Sequence, residues 1–147
     1  MTGVADTALG VLDASVVVKL VVPEVGTAES LAVLERSVRW VAPRLLVTEV
    51  ASALRQKVAG EELSSLHASD ALTAVLDAIA DGVLGLADDE ALVQAALNLA
   101  LSLKHKVPDC LYLALAEREG ATLVSADRKL LALARGRGVD VVAVPSA

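Results

Sequence analysis

The 147-residue sequence predicts an α/β fold, an α/β/α sandwich in which one domain wraps helices around a mostly parallel, five-stranded central sheet. Two observations carry that expectation. Short Val-rich runs alternate with longer Ala- and Leu-rich segments, the pattern of successive strand and helix units in a sheet buried on both faces. Pro, Ser and Gly punctuate the joins, so several helical segments carry their own start or stop signal. A length of 147 residues suits one core of this kind and is short for two.

The first strand, "LGVLD" (9–13), closes on Asp13, a charge set where a buried strand should end, and valines follow it. The second strand is "VRWVA" (38–42). Next comes "PRLLVTEVASALRQKVAG", with Pro43 suited to a first helical turn and Gly60 to a stop. "SSLHASDALTAVLDAIADG" begins at Ser and ends at Gly82, which completes a helical pair. The third strand, "GVLGLA" (82–87), leads into "DDEALVQAALNLALSLKH", whose Asp88, Asp89 and Glu90 match the positive end of a helix dipole. "PDCLYLALAEREG" then sets Pro108 at the first position of a helix and Gly120 at its cap. The fourth and fifth strands are "ATLVS" (121–125) and "VDVVAV" (139–144), so the domain is 1–147 with a core over about 9–145. Helices fill the remaining gaps, and the chain has no repeat, linker or low-complexity tract.

Composition narrows the function classes. Apolar residues make up 55% of the chain and charged ones 22%, with no Phe, one Tyr and one Trp, so the core is aliphatic. A charged residue interrupts every window long enough to span a bilayer, which predicts no membrane span. The segment "MTGVADTALG" lacks the basic region of a secretory signal, and Cys110 stands alone, so a cytoplasmic location without disulfides is expected. A net charge of -6 argues against nucleic-acid binding through bulk positive charge.

Four acids stand out by position. Asp13 ends the first strand, Glu49 lies in the first two turns after the second, Asp109 opens a helix after Pro108, and Asp127 follows the fourth strand. In an open parallel sheet these ends share one edge, where ligands bind at a topological switch point. Taken singly, each has a structural explanation: Asp13 and Asp127 as caps or turn residues, Asp109 answering a helix dipole, Glu49 on a solvated face. Together they call for a shared one.

Their settings are "VLDAS", "VTEVASAL", "VPDCLYLALA" and "TLVSADRKLL". In order and spacing, over nearly the whole chain, these segments resemble those of the PIN-domain ribonucleases, especially the VapC-type toxin of VapBC toxin-antitoxin pairs. By that resemblance Asp13, Glu49, Asp109 and Asp127 match the family's acidic quartet, and Ser15 and Ser125 its supporting hydroxyls. The resemblance implies a metal-dependent endoribonuclease, a homodimer and a cognate antitoxin. Arg128 and Lys129 follow Asp127 where certain PIN nucleases carry another acid, so the resemblance leaves the number of metal ions open.

The chemistry of the residues agrees. Two carboxylates about 4 Å apart repel by roughly 4 kcal/mol at an effective dielectric near 20, so four gathered acids need a cation or a proton between them. Oxygen donors favour Mg²⁺, or Mn²⁺, over zinc, for which the His and Cys content is poor. Such an ion orients a water and offsets charge on a phosphodiester undergoing hydrolysis. Asp13 and Asp109 are expected as the main ligands, Glu49 as ligand or water-orienting group, and Asp127 as an outer or second-site ligand.

Basic residues cluster beside two of the acids. Lys104, His105 and Lys106 precede Asp109, while Arg128, Lys129, Arg135 and Arg137 follow Asp127. Lys104, Lys106, Arg128 and Lys129 are the candidate RNA contacts, set against service to helix dipoles or plain solvation. With Trp40 and Tyr112 the only aromatics, recognition by shape and backbone is expected rather than base stacking. The helical pair from Pro43 to Ala80 has more apolar surface than one small sheet covers, which points to a partner as readily as to surplus core. Two other readings stand beside the nuclease: a PIN-like binding or scaffold module without catalysis, and a phosphoacceptor signalling domain, whose adjacent acids and Lys the sequence supplies only in part.

Overall fold

A computed structural model describes residues 8–147. Every strand expected from the sequence forms. They are β1 (Leu9–Leu12), β2 (Arg39–Pro43), β3 (Leu84–Ala87), β4 (Thr122–Ser125) and β5 (Val141–Ala143), in the sheet order β3-β2-β1-β4-β5 with every pairing parallel. The sheet is thus wholly rather than mostly parallel. Among the described residues seven helices surround it: α1 (Ala14–Val21), α2 (Thr27–Leu34), α3 (Leu45–Ala59), α4 (Ser65–Ala80), α5 (Asp89–Leu103), α6 (Val107–Glu119) and α7 (Arg128–Gly136). No helix among them is long and apolar enough to cross a membrane.

The order of the strands positions the site. The chain runs outward from β1 through β2 to β3, then returns to lay β4 against the other side of β1. The switch point therefore falls between the carboxyl ends of β1 and β4, where Leu12 pairs with Val124 and the Asp13 N–H donates to the Val124 carbonyl at 3.2 Å. Val11, Leu12, Leu123 and Val124 are all buried, as a two-faced sheet requires.

Helix α6 is buried around most of its circumference, with every residue from Cys110 to Ala116 in the core. It packs on β1, β2 and β4 and against α5, and its exposed end, at Lys106 and Pro108, opens onto the carboxyl edge. Gly10 of β1 lets Trp40 of β2 close over the strand, since a Cβ there would stand 2.4 Å from the indole ring. Gly26, the residue before α2, is required twice: its φ is +95°, and a Cβ would meet the Pro145 carbonyl at 2.2 Å.

Pro43 departs from expectation. It closes β2 opposite Ala87 instead of entering the first turn of a helix. The cause lies across the sheet: the Arg44 N–H donates to the Ala87 carbonyl at 2.9 Å, and Asp89 Oδ1 accepts from the Leu45 N–H at 3.1 Å. Helix α3 therefore starts two residues late, capped by a side chain 44 positions away.

Candidate active site

The sheet edge explains Asp13 first. It is the N-cap of α1, accepting from the Val16 N–H at 3.3 Å, so its capping role is real. Yet it is only 5% exposed and carries more than a cap. Ser15 donates to its Oδ1 at 2.5 Å, and Ser125, itself buried, donates to its Oδ2. Ser125 also accepts from the Asp127 N–H at 2.9 Å, while Ser15 accepts from the Ala126 N–H at 3.1 Å. The two hydroxyls thereby lace the β1–α1 corner to the β4–α7 corner. Asp127 caps α7 through the N–H groups of Lys129 at 2.9 Å and Leu130 at 3.2 Å, one serine away from Asp13.

Glu49 and Asp109 form a second pair. Glu49 sits half-buried in the second turn of α3, and Tyr112, one turn beyond Asp109 on α6, donates its hydroxyl to Glu49 Oε1 at 2.5 Å. Asp109 Oδ2 lies 2.8 Å from His105 Nε2 and 3.8 Å from Lys106 Nζ.

The electrostatics follow these groupings. Burial pushes the Asp13 carboxyl up to about 6 against the downward pull of Ser125, Ser15 and the Val16 N–H, and the Asp127 charge adds to the rise. Burial also raises Glu49, opposed by the Tyr112 hydrogen bond and the Lys106 charge and reinforced by Asp109 and, more weakly, Asp89. The Tyr112 phenol is driven far above its ordinary range by burial and then by Glu49, and it feels the charge of Asp13 as well. The acids thus come as two pairs, Asp13 with Asp127 and Glu49 with Asp109, and Tyr112 lies within reach of both.

A cleft of about 450 Å³ runs from Ser15 and Glu49 along α1 and α3 to Lys19, Glu24 and Lys57. Glu24 accepts from Lys19 at 3.2 Å and from Lys57, fastening the two helices.

The basic clusters divide. Arg128 and Lys129 are exposed on the first turn of α7, beside Asp127, and Lys104 and Lys106 are exposed between α5 and α6, beside Asp109. Arg135 and Arg137 do not flank the site, because α7 carries them to its far end, where Arg137 pairs with Glu117 at 2.7 Å. Asp89, read from the sequence as a helix-start acid, does open α5, and it also caps α3 and acts on Glu49. Tyr112 was absent from the sequence reading of the site. The signal available for it was its spacing of three from Asp109 on a helix, which puts both on one face.

The donor set fits a hard divalent cation in kind: carboxylates and hydroxyls, with a nearly buried carboxylate, Asp13, that has no cationic partner among the described residues. In position it fits by pairs. Among the described residues no three His, Cys, Asp or Glu side chains stand together as a ready metal cage, and the strongest charge acting on Asp13 is that of Asp127, not Asp109.

Fold and site together define a parallel α/β domain with acids gathered at the carboxyl edge of its switch point. The PIN domain family model matches residues 10–136, and the chain belongs to that family. No curated protein matches the sequence. Among solved structures, PAE2754 from Pyrobaculum aerophilum is similar with a TM-score of 0.68 at 23% identity, over 92% of this chain and 83% of that one. VapBC2 from Rickettsia felis, solved bound to a DNA fragment from its promoter, is similar with a TM-score of 0.65 at 15% identity, over 92% of this chain and 98% of that one. At these identities both likenesses speak for the fold.

Proposed function

We propose that the chain is a metal-dependent endoribonuclease, the toxin of a VapBC-type toxin-antitoxin pair, which hydrolyses phosphodiester bonds in cellular RNA. The single observation that carries this reading is Asp13. It is a nearly buried carboxylate at the switch point, held by Ser15 and Ser125, the latter linking it to Asp127, with its pKa raised by burial. Such an arrangement is costly unless a cation or proton occupies it.

In this reading Asp13 and Asp109 are the main holders of Mg²⁺ or Mn²⁺, Glu49 a ligand or the group that orients water, and Asp127 an outer or second-site ligand. When bound, the ion supplies charge to offset that developing on the phosphate and lowers the pKa of a water. The chain's own part is positional. Ser15 and Ser125 fix both oxygens of Asp13, so its carboxylate meets a ligand in one orientation. Tyr112 fixes one oxygen of Glu49 and leaves the other for water. Exposed Lys104, Lys106, Arg128 and Lys129 offer the phosphate backbone contacts on either side of the acids.

The same reading includes a homodimer and a cognate antitoxin. Leu66 and Leu76 on α4, and Val93, Leu97 and Leu101 spaced by four on α5, are exposed apolar surface that supports such partners. A binding module without catalysis is the second reading, favoured by the lack of a ready three-ligand cage among the described residues.

The deciding experiment incubates purified protein with total RNA and Mg²⁺ or Mn²⁺ beside the variant Asp13→Asn. The nuclease reading expects cleavage by the native chain, none without metal, and none by the variant at unchanged circular dichroism. Undiminished cleavage by Asp13→Asn would end it, and no cleavage by either would favour the binding module.

A further inference from the structure

We infer that Tyr112 is a positioning residue for the candidate site: its hydroxyl holds the Glu49 carboxylate in place relative to Asp13 and Asp109, where a divalent cation would need it. The inference rests on the metal-dependent reading above and adds a residue to it.

Four observations converge on this phenol. Tyr112 is 1% exposed, so its hydroxyl cannot turn to bulk water and must find its partner inside. That partner is Glu49 Oε1, 63 residues away in sequence, at 2.5 Å. Tyr112 also stands one helical turn after Asp109, so whatever sets α6 sets both residues together. Its oxygen has the Ala14 backbone amide beside it, directly after Asp13. One oxygen atom thus touches or adjoins the three elements, α1, α3 and α6, that carry Asp13, Glu49 and Asp109.

The arrangement has a chemical consequence. Glu49 is half-buried on a helix whose neighbouring charges, Asp109 and Asp89, repel it. Without a donor its carboxylate would swing toward solvent, away from both. A neutral phenol in the core supplies that donor without adding a positive charge that would compete with a bound cation. Tyr112 contributes nothing to the reacting atoms; it restricts where Glu49 points.

The test is a Mn²⁺ titration of the full chain by calorimetry, without RNA, on the native protein, Tyr112→Phe, Glu49→Gln and the double variant. Loss of one charge-assisted hydrogen bond predicts Mn²⁺ affinity about tenfold weaker in Tyr112→Phe. Because the phenol acts through Glu49, the double variant should bind no more weakly than Glu49→Gln alone, an outcome that a merely structural tyrosine would not give. On RNA, kcat should fall while KM stays. Native affinity in Tyr112→Phe, or additive losses in the double variant, would overturn the inference while leaving the metal reading intact. Failure of the native protein itself to bind Mn²⁺ would sink both. Should Tyr112→Phe not fold, Glu49→Gln still tests the contact, since it must shift the ring resonances of the only tyrosine; unshifted resonances would overturn the inference.

Discussion

At the residue scale, protons on two buried groups, Asp13 and Tyr112, set how the site behaves with pH. Burial is the chief cause that pushes the Asp13 carboxyl from the ordinary aspartate range up to about 6 in the folded chain. A carboxyl raised in this way contributes stability below its unfolded pKa and loses that stability as pH rises through the folded value. Above about pH 6 the ionised form therefore costs on the order of 3 kcal/mol in the metal-free protein. Asp13→Asn should recover about 1–3 kcal/mol at pH 8, with the gain fading toward about pH 4, as read by thermal denaturation at both pH values. A variant less stable than the native chain at pH 8 would mean that the Ser15 and Ser125 hydrogen bonds outweigh the charge. Tyr112 gives a second check. Its phenol is raised far above its usual value by burial and Glu49, so the folded protein should show no tyrosinate absorbance near pH 10, where an exposed tyrosine titrates. The signal should appear only on unfolding.

At the element scale, two fastenings hold the site's framework. Glu24 joins α1 to α3 through Lys19 and Lys57, and these hydrogen bonds overcome burial to hold its carboxyl below the ordinary range. Lys19 is 5% exposed, so Glu24→Gln leaves a buried ammonium without its counter-charge and should cost about 2 kcal/mol or more in chemical denaturation. Gly10→Ala forces the rigid Trp40 ring to move and should cost about 1–3 kcal/mol by the same measurement. The strands were legible because each is a short aliphatic run between breakers, a signal that survives in isolation. Helix α1 was harder to read. Its "SVVVKLV" carries the β-branched residues of a strand, and only the Asp13 cap and the burial of Val16, Val17 and Val18 against the core settle it as a helix. Pro43 misled for a related reason, since Asp89 displaces the helix start and no local rule foresees a cap from 44 residues away.

At the scale of the whole molecule, the acids were legible because a parallel sheet sends every strand's carboxyl end to one edge, so position along the chain stands in for position in space. Their partners were not. The links from Ser125 to Asp13 and from Tyr112 to Glu49 span 112 and 63 residues and exist only once the sheet order is set. The net charge of -6 means that RNA binding, if the proposed function holds, must be local, and the exposed Lys104, Lys106, Arg128 and Lys129 are the proposed contacts. Replacing Arg128 and Lys129 with Ala should weaken RNA binding and flatten its salt dependence by roughly 1.5 in log–log slope, measured by filter binding across a salt series. An unchanged slope would remove α7 from the RNA path. If the carboxyl edge holds a divalent cation, as proposed, an anomalous-scattering map from crystals grown with Mn²⁺ will show it there. The expected result is a peak bound by Asp13 and Asp109, with Glu49 or Asp127 completing the shell. A fully occupied map with no manganese at that edge would contradict it.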